Sequence, residues 1–126
     1  MHQSRIAGFI IDCQTEDLDA AARFWSAALG LKAESSAPAD AALYRRLATR
    51  PDEMHIEVQK VTHPSRVHLD IEASDIEAEV RRLEGLGAKR IAGVHGWVVM
   101  QAPTGQRFCV VPAERADFAA RANTWT

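Results

Sequence analysis

Among the five histidines and the several glutamates of this 126-residue chain, one of each is the strongest candidate for acid–base chemistry. His68 lies in the apolar run RVHLDIEA, and Glu57 lies in MHIEVQ. An imidazole titrates near neutral pH, and a neighbouring carboxylate can orient or tune it, so the pair could exchange protons with a small substrate without a metal. A purely structural interpretation also remains open for each, as a hydrogen-bonded histidine and as a paired or hydrated carboxylate.

The hydrophobic pattern places both residues on strands and adds two helices. A buried strand, IAGFIIDC, is followed by residues at helical spacing over 18–29, and Gly30 suits the left-handed turn that ends a helix. The same order recurs from RVHLDIEA into a second helix over 76–86. Ser74 and Glu77 match a capping box at the start of that helix.

The recurrence is an internal repeat. Laying IIDCQTEDL over HLDIEASDI pairs Asp12 with Asp70, and laying PDEMHIEVQ over PTGQRFCVV pairs Glu57 with Cys109. We therefore predict one domain over 1–126, with modules at 5–61 and 66–112 and a tail at 113–126 that contains a short helix. Further strands are expected at 31–33, 42–47, 54–61, 90–93, 97–101 and 107–111. A loop is expected in ESSAPADAA.

Composition excludes several classes of function. The chain carries 15 Lys and Arg against 17 Asp and Glu, for a net charge of −2, so a nucleic-acid partner is not expected. No apolar run approaches the roughly 20 residues of a membrane-spanning helix, and the N-terminus has no secretory pattern, so a cytoplasmic location is expected. Cys13 and Cys109 are expected to be reduced thiols.

Three segments, IDCQTEDLDAAARFWSAALGL, RVHLDIEASDIEAEVRRLEGLGA and APTGQRFCVV, resemble the vicinal-oxygen-chelate superfamily. Within it they look most like the glyoxalase-like subgroup of the glyoxalase, bleomycin-resistance and dioxygenase proteins. The resemblance covers about residues 5–112. It implies an α+β fold of two paired βαβββ modules that form a concave cavity with flanking helices. Because the superfamily includes isomerases, dioxygenases, thiol transferases and metal-free drug-binding proteins, the function has to be argued from the site.

The resemblance also maps the family's metal-binding positions to Ile10, Glu57, His68 and Cys109. Isoleucine cannot bind a metal, and cysteine stands where the family has glutamate. Glu57, His68 and Cys109 could still bind zinc with one open position. A cysteine in an apolar strand is otherwise a small buried hydrophobe. No cofactor is therefore expected, with zinc as the alternative.

Strand alternation gives the predicted cavity a mixed wall, because every second residue points to the same face. Asp12 and Asp70 could instead lie near water at strand ends, and Trp97 could belong to the core. His95 is expected in a loop, with a lid as the alternative. Besides the candidate catalytic residues His68 and Glu57, the predicted ligand-binding residues are Ile10, Asp12, Gln59, Asp70, Trp97 and Arg107.

The sequence thus predicts a protein that binds a small organic molecule in its cavity and forms a homodimer, with no membrane partner. Two alternatives stay open. One is a lyase or isomerase, using zinc or His68 and Glu57, that acts on a carbonyl compound or a thiol adduct. The other is an interaction module with a vestigial cavity.

Overall fold

The computed structural model of the chain describes residues 1–35, 41–94 and 96–126. The predicted loop therefore lies partly outside the described residues, and His95 lies wholly outside them. The helices are α1 (Leu18–Leu29), α2 (Ile76–Gly85) and α3 (Phe118–Arg121). The strands are β1 (His2–Gln14), β2 (Ala33–Ser35), β3 (Tyr44–Leu47), β4 (His55–Val61), β5 (Arg66–Ala73), β6 (Lys89–Val94), β7 (Trp97–Gln101), β8 (Arg107–Pro112) and β9 (Asn123–Trp125).

The order of these elements confirms an α+β fold in which a strand, a helix and three strands occur twice. The chain divides into two compact units. The first unit is Gly8–His68, and the second unit combines Met1–Ala7 with Leu69–Thr126. None of the helices in the described ranges is long and apolar enough to cross a membrane.

In the first unit the strand order is β2-β3-β4-β1, with β1 parallel to β4 and the other pairs antiparallel. Helix α1 begins where the carboxylate of Asp17 accepts from the N–H of Ala20 at 3.0 Å, and it ends at Gly30 with φ 69°. The core of the first unit is made of Leu18, Leu47 and Val58. Trp25, Ile56 and Cys13 are partly buried and pack against it.

Gly8 allows β1 to approach the beginning of β4 very closely. A Cβ at this position would overlap the backbone carbonyl of His55, its ladder partner. Only glycine fits where two backbones come this close. Glycine at position 8 therefore permits the close pairing of β1 with the strand that carries His55 and Glu57.

In the second unit the strand order is β5-β8-β7-β6, with β5 parallel to β8, and β9 pairs with the first residues of β1. Val98, Met100 and Val110 pack beneath α2 against Val80 and Leu83. The predicted tail helix is confirmed as α3, and Phe118 on it is buried. Strand β9 was not predicted.

The predicted capping box of α2 is wrong. Asp75, not Ser74, is the N-cap, and its carboxylate accepts from the N–H of Ala78 at 3.0 Å. Its side chain takes this role because it stands one residue closer to the helix than Ser74. The Ser74 hydroxyl instead accepts from the N–H of Gln3 at 2.9 Å. It therefore ties β1 to the start of α2.

A buried carboxylate joins α2 to both chain ends of the second unit. Glu79 is fully buried and accepts hydrogen bonds from His2 Nε2 at 2.8 Å, from Ser4 Oγ at 2.7 Å and twice from Arg82 at 2.8 Å. The Trp125 indole donates to Ser4 at 2.8 Å and lies under the Arg82 guanidinium at 3.9 Å. Both oxygens of this carboxylate are thus satisfied without water.

Candidate functional site

The first unit presents a polar face on the side of its sheet opposite α1. Cys13, Ile56 and Val58 point to the helix. By strand alternation the residues between them point the other way, and the ladder sets Ile10 beside Glu57 and Asp12 beside Gln59. The structure therefore places these four predicted site residues on one face of β1 and β4. We call it the polar face of the first unit.

Asp12 is the most deeply buried charged group on this face, with 2% of its surface exposed. Its Oδ2 lies 2.8 Å from Nδ1 of His68. Because a carboxylate only accepts, the imidazole must donate from Nδ1, and Nε2 of the neutral ring then carries the lone pair. The second oxygen, Oδ1, is buried and has no hydrogen-bond partner among the described residues.

Two further basic side chains approach Asp12, one from the connection between β4 and β5 and one from the first residue of β5. Nε2 of His63 lies 3.9 Å and Nε of Arg66 lies 3.7 Å from Oδ2. Nδ1 of His63 is 2.8 Å from the Pro64 carbonyl, which can only accept, so this nitrogen carries a proton. Sequence reasoning missed both residues, although HPSR leads directly into the strand of His68.

The same connection is fastened to the end of β1 by hydrogen bonds. The N–H of Gln14 donates to Ser65 Oγ at 3.0 Å, and the Gln14 side chain donates to the Thr62 carbonyl at 3.0 Å. These contacts hold the backbone on both sides of His63. The basic side chains are therefore anchored next to Asp12 by local structure.

Glu57 is paired with a different histidine from the one expected. Its carboxylate accepts from His55 Nε2 at 2.8 Å, and 23% of its side chain is exposed. Gln59, the next residue on this face, donates to the Tyr44 hydroxyl at 2.9 Å. The polar face thus carries two carboxylate–imidazole pairs, Asp12 with His68 and Glu57 with His55.

In the second unit, strand alternation directs the other predicted site residues away from α2. Val98, Met100 and Val110 face the helix, so Trp97, Arg107 and Cys109 point to the opposite side. Asp70 is the ladder partner of Cys109, and a carboxylate oxygen of Asp70 lies within 4.8 Å of the Cys109 sulfur. Both cysteines are free thiols, and burial raises the pKa of Cys13.

The pairing of β5 with β8 in the second unit is displaced by two residues from the pairing that the sequence repeat would give by analogy with β1 and β4. In the first unit Ile10 is the ladder partner of Glu57. The repeat pairs these residues with His68 and Cys109, yet in the second unit the ladder partner of Cys109 is Asp70. An even displacement keeps every side chain on its own face. The position across from Cys109 is therefore held by a carboxylate.

The residues present do not fit the four-ligand metal site of the superfamily. Ile10 stands at the first ligand position, beside Glu57, and only 3% of it is exposed. An apolar group here supplies no electron pair and excludes the water that could replace a missing ligand. The Glu57 carboxylate is already hydrogen-bonded to His55. We therefore derive no chemistry through such a metal.

A model of the glyoxalase-like domain family matches residues 8–111, and the chain belongs to this family, within the vicinal-oxygen-chelate superfamily. A comparison with curated proteins gave no match.

Solved structures with the same fold include two methylmalonyl-CoA epimerases. The enzyme from Mycobacterium tuberculosis is 19% identical, with 91% of each chain covered and a TM-score of 0.57. The Streptomyces coelicolor enzyme is 16% identical, with 88% of this chain and 99% of that chain covered and a TM-score of 0.56. A hypothetical protein from Bacillus halodurans C-125 is 14% identical, with 88% and 95% covered and a TM-score of 0.61. At these identities the likeness shows the fold alone.

Proposed function

We propose that the chain binds a small organic molecule against the polar face of the first unit. The observation that carries this proposal is the second oxygen of Asp12, a buried acceptor with no partner among the described residues. Leaving such a group unsatisfied costs about 1–3 kcal/mol, and native proteins keep few of them except where they serve function. A ligand that donates a hydrogen bond to Oδ1 would recover this free energy.

The surrounding residues have the composition of a small-molecule site. Tyr44, Gln59 and the two carboxylate–imidazole pairs offer fixed polar groups beside the buried apolar side chain of Ile10. Such sites combine apolar contact area, which gives affinity, with a few oriented polar groups, which give specificity. The hydrogen bonds between these side chains reduce their rotational freedom, so little ordering is needed when a ligand binds.

Acid–base catalysis is the second candidate, and the Asp12–His68 hydrogen bond favours it. With the proton of the neutral ring on Nδ1, the Nε2 lone pair can accept a proton from a substrate, and Asp12 stabilises the imidazolium that forms. A carbon next to a carbonyl is a suitable proton donor for such a base. In this proposal Asp12 takes the orienting role that the sequence suggested for Glu57.

Ligands seen in proteins of the same fold provide a first probe. Solved methylmalonyl-CoA epimerases hold methylmalonyl-CoA or 2-nitronate-propionyl-CoA. We propose to titrate this chain with methylmalonyl-CoA and with a panel of small aldehydes, ketones and hydroxy compounds, and to follow the melting temperature. A ligand that binds only the folded state raises this temperature in proportion to its occupancy.

The decisive comparison uses two carboxylate replacements of equal size. Asp12→Asn alters the buried acceptor, and Asp52→Asn alters an exposed turn residue that pairs with Arg50. We expect a compound that stabilises the wild type to stabilise Asp52→Asn equally and Asp12→Asn much less. Equal stabilisation of all three proteins, or no stabilisation by any compound, would remove the proposal.

Three broader sequence-based hypotheses stay predictions: a homodimer, a cytoplasmic location and zinc as an alternative cofactor. The zinc hypothesis named Glu57, His68 and Cys109, and in the second unit a carboxylate oxygen of Asp70 also lies within 4.8 Å of the Cys109 sulfur. Thiolate and carboxylate are both accepted zinc ligands.

A further inference from the structure

We infer that the ligand of the polar face is a 2-hydroxy acid, whose carboxylate binds Arg66 and whose hydroxyl donates to Oδ1 of Asp12. The inference rests on the proposed function and names the ligand class. It depends on three features of the first unit: the weakly engaged guanidinium of Arg66, the buried unpartnered oxygen of Asp12, and the short distance between the two side chains.

Arg66 has capacity for an anion. Its Nε lies 3.7 Å from Asp12 Oδ2, which is longer than a hydrogen bond, and 46% of its side chain is exposed. In the described part of the chain the guanidinium makes no hydrogen bond. A guanidinium presents five N–H donors in a planar fork that matches a carboxylate in two-point contact. A ligand carboxylate therefore has a natural partner here.

Asp12 determines which group of the ligand lies next to the ligand carboxylate. Its free oxygen is an acceptor, so a ligand carboxylate or keto oxygen placed against it would be repelled. A hydroxyl can donate to Oδ1 instead. The negative charge of Asp12 thus directs the ligand's charge toward Arg66 and its hydroxyl toward the buried oxygen.

The distance between the two side chains sets the spacing of the ligand groups. Nε of Arg66 lies 3.7 Å from Oδ2 of Asp12, so a compact ligand that contacts both side chains carries its carboxylate and its hydroxyl close together. A 2-hydroxy acid has this arrangement. His63, at 3.9 Å from the same Asp12 oxygen and 36% exposed, borders the position of the ligand carboxylate.

Three probes of nearly equal size separate the two interactions. Mandelate has both groups, phenylacetate lacks the hydroxyl, and mandelamide lacks the charge. Binding would be measured by ligand-observed NMR titration of the full chain. We expect mandelate to bind at least about tenfold more tightly than either relative, since each relative forfeits one charge-assisted hydrogen bond.

A pair of matched variants tests the assignment to Arg66. Arg66→Gln keeps most of the side-chain length and removes the charge, and Arg50→Gln makes the same change in an exposed turn, where the arginine pairs with Asp52 and Glu53. We expect Arg66→Gln to bind mandelate no better than mandelamide. Arg50→Gln should keep the full preference of the wild type.

The outcomes distinguish this inference from the proposed function. Equal binding of mandelate and mandelamide would overturn charge recognition, and equal binding of mandelate and phenylacetate would overturn the role of Asp12. In both cases small-molecule binding itself would stand. If methylmalonyl-CoA or another panel compound binds through Asp12 and mandelate does not, the ligand class is wrong. If nothing binds, both proposals are wrong.

Discussion

His68 donates a hydrogen bond from Nδ1 to the buried carboxylate of Asp12 at 2.8 Å. The bond fixes which nitrogen of the neutral imidazole carries the proton. We predict that long-range ¹⁵N correlation spectra of the neutral ring show His68 as the Nδ1–H tautomer, against the common preference of free histidine for Nε2–H. A dominant Nε2–H tautomer would contradict the pairing and remove the basis for His68 as a proton acceptor.

Replacing Gly8 tests the close approach of the β1 and β4 backbones beneath the polar face. Gly8→Ala introduces a Cβ that overlaps the His55 carbonyl, and a backbone atom cannot move aside as a side chain would. We expect a loss of about 3 kcal/mol, the upper range for overpacking, measured as a lower urea midpoint. Gly93→Ala is the control, because no atom of the described residues lies within 4 Å of the Cβ it would add and its φ is not positive. Equal midpoints for the two variants would contradict the close approach.

The buried carboxylate of Glu79 should govern the acid stability of the second unit. Burial raises its pKa, but hydrogen bonds from Arg82, His2 and Ser4 outweigh burial and hold the pKa below the ordinary value of 4.5. A lowered pKa in the folded state stabilises the protein above pH 4.5, and this stability is lost as the pH falls through the folded-state pKa.

Replacing Glu79 tests this assignment directly. Glu79→Gln should lower the free energy of unfolding at pH 7 by about 3 kcal/mol, because the partly buried Arg82 loses its counter-charge. It should also flatten the fall in stability below pH 4.5. Glu77→Gln on the same helix, which pairs with Arg90 at the surface, should change little. Two identical pH profiles would show that the buried network does not stabilise the fold.

Zinc binding by the wild type is predicted to be weak or absent, because Ile10 occupies the first ligand position. The resemblance predicts that Ile10→His combined with Cys109→Glu restores the family's ligand pattern and gains stoichiometric binding of a divalent ion. Calorimetric titration with Zn²⁺, Ni²⁺ and Mn²⁺ measures both. Tight zinc binding by the wild type would contradict the metal-free proposal. If that binding were lost in Cys109→Ala, the thiol would be identified as a ligand.

Hydrophobic periodicity predicted the long elements well. Residues 18–29 form the predicted helix, and Gly30 adopts the left-handed conformation that its position suggested. Short elements gave weaker signals. Strand β9 has three residues and exists because it pairs with the start of β1, a contact between the two ends of the sequence. The cap of α2 was misplaced because Ser74 and Asp75 are adjacent residues of suitable type.

Side-chain direction could be predicted on the strands, but hydrogen-bond partners could not. Alternation placed Asp12 and Glu57 on one face, as the structure has them. Which histidine each carboxylate binds depends on the twist of the strands and on the path of the connection at 62–65. No spacing rule gives these. His63 was missed because it lies in this connection, which has no periodicity. Arg66 begins the predicted strand β5, and its even spacing from His68 could have placed it on the same face.

The displaced register between the two units changes how one half of this molecule can be used to interpret the other. If the sequence repeat is used to assign a residue's role from one half to the other, the assigned position lies two residues from the true counterpart. It still lies on the same face of the sheet. Such an error is hard to notice, because hydrophobic and polar residues still fall where they should. Comparisons among homologues should therefore align the halves by ladder partners. On that basis the counterpart of Ile10 is Asp70, a side chain able to bind metal or accept a proton.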